Sequence, residues 1–169
     1  PTNFPNLSLY FHVNEDGAGE AWNKRAVLAM DGAKQGEHLH LDDAKMDVTY
    51  APGTRRMAKA RLSVKDGQGN PHTVDFEPIG TFLMKGIGYG HPKFRHGMSH
   101  GDQLVVERED MDPNAAWNIP ENLHIQEIVR AKHTGPGGVS SEGIGVFEQL
   151  FMGPHAPSGF KSILDGAAG

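Results

Sequence analysis

The clearest alternation of apolar and polar residues runs through "MAKARLSVK" (57–65). Ala58, Ala60, Leu62 and Val64 point one way, and Lys59, Arg61, Ser63 and Lys65 point the other. A period of two predicts a strand with one dry and one wet face. "LSLYFHV" (7–13) and "NKRAVLAM" (23–30) read as strands on either side of the turn "NEDGAG". "EHLHLDDAKMDVTY" (37–50) alternates but changes phase at Asp42-Asp43. Leu39 and Leu41 share one face, while Ala44, Met46, Val48 and Tyr50 take the other, so a bulge or bend is predicted there. "APGT" and "DGQGN" supply turns around 57–65. The next run, "HTVDFEPIGTFLMK" (72–85), is interrupted by Pro78, which predicts a break, bulge or edge. "QLVVERE" (103–109), "LHIQEIVRA" (123–131) and "GIGVFEQLFM" (143–152) complete the set, with short helices predicted at 114–118 and 158–164, the latter capped by Ser158. About eight antiparallel strands with short turns predict an all-β fold: a lipocalin-like barrel or a strongly bent sandwich.

Length makes this one domain: 169 residues, 37% of them hydrophobic, support a single core. The 22 glycines and 11 prolines fit a turn-rich β protein. No apolar run is long enough to span a membrane as a helix. The net charge of −5 and an isolated "TRR" argue against nucleic-acid binding. With no cysteine, disulfides, thiolate nucleophiles and zinc–cysteine sites are excluded. The N-terminus lacks a secretion signal, so the cytoplasm is the default location, and the missing initiator Met reads as processing or as a cut from a longer protein.

Candidate chemistry concentrates in "GIGYGHPKFRHGMSHGD", Gly86 to Asp102, which holds five glycines and His91, His96 and His100. The glycines make a helix implausible, so spacing alone does not define a chelate. The segment reads as a pocket wall or a polar network; the alternative is a zinc, iron or copper site completed by Asp102. "GAKQGEHLH" (32–40) has the opening of a first cupin motif but "LDDAK" follows where its Glu belongs, so His38 and His40 read as a solvated strand face. Glu127 falls on the face of Ile125 and Val129, and Glu148 falls with Ile144, Val146 and Leu150. An acid on an apolar face is costly unless paired or protonated, and burial suits it to acid–base work. The two strands read as hairpin partners, which brings the carboxylates toward each other. The competing reading turns the apparent inner face outward, or pairs each acid with a cation such as Arg130.

"EPIGTFLMKGIGYGHPKFRHGMSHGD" and "GVFEQLFMGPHAPSGF" together resemble the C-terminal half of bacterial two-barrel, lipocalin-like proteins related to carotenoid 1,2-hydratase (hydroxyneurosporene synthase). The resemblance runs from Gly17 to Phe160. It implies paired barrels holding an apolar small molecule of isoprenoid, steroid or aromatic type, with hydratase, lyase or isomerase chemistry that needs no cofactor. This chain has the strands of one barrel only, so a second barrel domain or a homodimer partner is expected to complete it. From clustering and strand phase, His91 and His96 are the expected proton donors and Glu127 and Glu148 their carboxylate partners. Tyr89, Lys85, Arg95, His100 and His124 make up the expected ligand-binding set, and no metal is assigned. A non-catalytic carrier or domain-packing module is the alternative, and a histidine–metal enzyme is a further one.

Overall fold

The structure is a computed structural model and describes residues 1–34, 38–83, 97–106, 108, 110, 124–162 and 165–167. Nine strands form: β1 (Thr2–Asn3), β2 (Leu7–Glu15), β3 (Ala21–Met30), β4 (His38–His40), β5 (Asp42–Tyr50), β6 (Met57–Lys65), β7 (Pro71–Leu83), β8 (His124–Thr134) and β9 (Ser140–Leu150). All pairings are antiparallel, in one sheet of order β4-β3-β2-β1-β9-β8-β7-β6-β5. The edge strands β4 and β5 follow each other in the chain, so the sheet must curl until its two edges meet at Leu41, whose N–H donates to Ala26 O at 2.9 Å. The result is an all-β half-barrel. Its helical content among the described residues is two 3-10 turns, Pro136–Gly138 and Ala156–Ser158.

Sequence and structure agree where alternation is strict. β6 occupies the predicted residues, and the bulge expected at Pro78 lies between Pro78 and Gly80. The phase change at Asp42-Asp43 is a bulge within β5, where Asp43 adopts a positive φ of 50°, and the predicted strand 37–50 divides into β4 and β5 at Leu41. Other expectations are corrected. Residues 103–106 and 108 lie outside any strand, and Leu104 and Val106 stand in solvent: alternation without a hydrogen-bonded neighbour does not make a strand. The predicted helix from Ser158 does not form over 158–162: Ser158 is the last residue of the 3-10 turn Ala156–Ser158, whose N-cap position is His155. The predicted helix at 114–118 falls outside the described residues.

Alternation drives the core. Leu9, Leu28, Leu62, Val74, Phe76, Val129 and Ala131 turn inward and are buried, with Phe4 and Met57 packed among them. β9 contributes its glycines: a Cβ on Gly145 would lie 2.7 Å from Pro1 O, and one on Gly143 would strike Asn3 and Phe4. These two positions let the short β1 lie against β9, where Val146 N–H donates to Pro1 O at 2.9 Å. On the outer face, Arg61, Asp75, Lys132 and Glu142 stand opposite one another across β6–β9, and the alternating signs reinforce the register.

Candidate functional site

Antiparallel order sorts the strand ends. Glu15, Tyr50, Met57, Leu83, His124 and Leu150 all lie at one end of the half-barrel. Three of the carboxylates and imidazoles expected to carry chemistry, Glu127, Glu148 and His124, sit at this end.

The hairpin of β8 and β9 forms as predicted, but its register separates the two acids. Glu127 stands opposite Phe147, and Glu148 stands opposite Gln126. Side chains alternate between faces, so Glu127 points inward and Glu148 outward. Glu148 is exposed and pairs with His124 Nε2, a neighbour on the outer face. The apolar residues that accompany Glu148, Ile144 and Leu150 among them, are exposed with it. The inner face of β9 is the one bearing Gly143, Gly145, Phe147 and Gln149. His100 is exposed in a turn followed by Gly101, which has a φ of 67°. Lys85, Tyr89, His91, Arg95 and His96 lie outside the described residues.

Glu127 is fully buried, between Ile125 and Val129 along its own strand. Thr81, its partner across β7, donates a 2.6 Å hydrogen bond to Oε2, while Oε1 has no hydrogen-bond partner among the described residues. Burial pushes the Glu127 carboxyl above its ordinary range; the Thr81 hydroxyl and the charge of Arg56 pull the other way and only partly offset it. The shift makes the proton harder to lose than from a glutamate in water. One register step away on β9, Gln149 is also buried, and its Oε1 accepts from Met57 N–H at 3.2 Å. The Tyr50 hydroxyl at the same end is raised in pKa mainly by burial, with Ser158 and Gln149 pulling the other way.

The C-terminal segment covers this end. Arg55 is almost completely buried in the β5–β6 turn and lies 4.7 Å above the Phe160 ring. Its Nε donates to Asp165 O at 2.6 Å, its Nη2 donates to Ser162 O and pairs with Asp165 Oδ1 at 2.8 Å, and its Nη1 reaches Phe151 O at 3.4 Å. Tyr50, Phe151 and Phe160 pack as a ring cluster with centroids 4.8–5.9 Å apart. In the sequence "TRR" is isolated from other basic residues. Only the tertiary contacts reveal Arg55 as the bolt of the tail.

The opposite end carries a second buried polar group. His72 Nδ1 and His133 Nε2 face each other at 3.1 Å with nearly parallel rings, and Asp66 lies 3.7 Å from His72 Nε2. Burial, then the neighbouring His72, pushes the His133 pKa down. His38 and His40 are exposed on the edge strand, as a solvated face predicts. Among the described residues, no group of three or more histidine or acidic side chains is arranged to hold a metal ion. Two surface concavities are lined by charged residues: one of about 480 Å³ is bounded by Lys59, Arg61, Glu77 and Arg130, and one of about 210 Å³ by Lys24, Arg25, His40 and Asp43.

No curated protein and no solved structure gives a significant match to the chain. The family of unknown function DUF8625 matches residues 1–161, nearly the whole length, and the chain belongs to that family.

Proposed function

We propose that the half-barrel binds an apolar small molecule at its Glu127 end and offers it a single polar contact. The observation that carries this reading is the fully buried Glu127 carboxyl with Oε1 unpartnered among the described residues. A buried polar atom without a partner costs about 1–3 kcal/mol. A ligand oxygen that accepts from the neutral carboxyl removes that cost, while the surrounding Ile125, Val129 and Phe147 suit a hydrocarbon body. The described interior is filled by Met57, Leu62 and Val129, so the ligand belongs at the barrel end and not along the axis. Leu83 and His124 also end there. The resemblance to isoprenoid hydratases supports the same ligand class, and a neutral carboxyl is the group that protonates a double bond in hydratase, lyase or isomerase chemistry. Native mass spectrometry of the purified chain tests the reading. An apolar molecule retained by the wild type and by Glu127→Gln, but lost from Glu127→Leu, is expected. Retention unchanged in Glu127→Leu refutes it.

A second reading rests on the outer face of β7–β9. Phe82, Ile128 and Ile144 form an exposed diagonal across three strands, with Leu150 and Met152 exposed nearby. Such a stripe suits packing against a second barrel or a second copy of this chain. Light scattering across a concentration series tests the homodimer. Association that Ile128→Asp abolishes supports it, and a monomer at all concentrations leaves a separate barrel domain as the partner.

A further inference from the structure

The C-terminal loop and the ends of β2 and β5 align four side chains from three separate parts of the sequence. Glu15 Oε2 lies 3.2 Å from His155 Nε2, His155 Nδ1 lies 2.8 Å from Ser158 Oγ, and Ser158 Oγ lies 3.1 Å from the Tyr50 hydroxyl. The direction of each bond follows from donor chemistry. A carboxylate only accepts, so the proton sits on Nε2 and leaves Nδ1 bare. Bare Nδ1 accepts the Ser158 O–H, and the serine oxygen then accepts from Tyr50. Burial holds Tyr50 in its phenol form, which keeps that donor in place.

This is the logic of an activated hydroxyl: nucleophile, base and orienting acid in series. The two ring nitrogens are exchanged relative to the usual serine-hydrolase order, so His155 uses Nδ1 as the base. The loop is held from several sides. Ala156 N–H donates to Gly17 O at 2.8 Å, and His155 bridges Phe160 in both directions. Gly159, the residue after the serine, has a φ of 74°. A Cβ there would meet nothing within 4 Å, so open space adjoins Ser158. The site is separate from the Glu127 carboxyl and stands or falls independently of it.

We propose that Ser158 is an acyl-accepting nucleophile that cleaves small esters with an apolar or aromatic group. His155 is its base, Glu15 orients His155, and Tyr50 holds the Ser158 oxygen in place. Phe151 and Phe160, packed around Tyr50, supply the apolar wall. Ser158 Oγ bonds to the ester carbon while its proton passes to His155 Nδ1. The bond to the alkoxy oxygen breaks, and the departing alcohol takes that proton. Water then attacks the acyl-serine, releases a carboxylic acid and restores the hydroxyl, so ester and water become acid and alcohol.

Two readouts on the full chain decide the matter. Incubation with an alkyl fluorophosphonate, followed by peptide mapping, is expected to place one adduct on Ser158. Saturable hydrolysis of p-nitrophenyl acetate is expected alongside it. Ser158→Ala removes both, and His155→Gln slows labelling at least ten-fold. Glu15→Gln slows labelling, while Glu15→Asp restores it, which a purely structural role for Glu15 does not predict. A natively folded wild-type chain that takes no adduct on Ser158, takes it elsewhere, or hydrolyses the ester without saturation overturns the proposal. Labelling at wild-type rate in folded His155→Gln overturns it as well.

Discussion

Replacing Arg55 by Met removes the guanidinium that bolts the C-terminal segment to the β5–β6 turn while keeping a long side chain between Phe151 and Phe160. Two short, charge-assisted bonds to the carbonyls of Asp165 and Ser162 are lost, at about 1.5 kcal/mol each. The stacking of the guanidinium on Phe160 at 4.7 Å adds about 1 kcal/mol for a desolvated site. The 3.4 Å contact with Phe151 O is too long to count, and water replaces the guanidinium at the partly exposed Asp165, so neither enters the sum. Methionine recovers about 1 kcal/mol through its own burial. The net loss is about 3 kcal/mol, and with a urea m-value of about 2 kcal/mol/M the midpoint falls by about 1.5 M. Arg55→Lys does no better, because a single ammonium nitrogen cannot stand where both Nε and Nη2 stand. Urea unfolding followed by circular dichroism measures the shift, and hydrogen exchange over 151–162 reports whether the tail has come loose. A midpoint within about 0.5 M of wild type, with unchanged protection of the tail, refutes the assignment of Arg55 as the bolt.

Glu127→Gln is expected to flatten one limb of the stability–pH curve. The folded carboxyl binds its proton more tightly than the unfolded one, so this contribution is full at acid pH and is lost as pH rises through the folded pKa; urea midpoints at pH 5 and pH 8 should show the variant gaining on wild type at the higher pH. His133 acts in the opposite sense. Its folded pKa is depressed, so stability falls as pH drops below the ordinary histidine value of about 6.5, by at most about 1.4 kcal/mol per pH unit, and His133→Gln should remove that acid limb in the same assay. Gly145→Val drives a side chain into Thr2 and Pro1 O and should strip β1 from the sheet, seen as faster exchange of the Val146 amide that donates to Pro1; native-like protection of that amide contradicts the packing described.

Much of the fold was legible because strand alternation records which side chains avoid water. β6 could be read residue by residue, the bend at Asp42-Asp43 and the bulge at Pro78 were marked by broken phase and a missing N–H, and the β8–β9 hairpin followed from its turn. Alternation placed Glu127 on the face of Ile125 and Val129 but left open whether that face turns inward; all three are buried.

β9 misled because both of its faces carry apolar residues. Ile144, Val146 and Leu150 look like a core face, yet the core took the face of Gly143, Gly145, Phe147 and Gln149, because only glycines admit β1 and Phe4 so closely. That choice, invisible in one strand alone, parted Glu148 from Glu127 and gave it to His124. The alignment of Glu15, His155, Ser158 and Tyr50 was equally out of reach, since its longest contact spans 140 positions. Local sequence thus determined the strands, their bends and the buried acid. Which face of β9 turns inward, how Arg55 came to be buried, and which polar groups meet at the barrel end were decided by tertiary structure, because burial and hydrogen-bond satisfaction are properties of the assembled sheet and not of any segment.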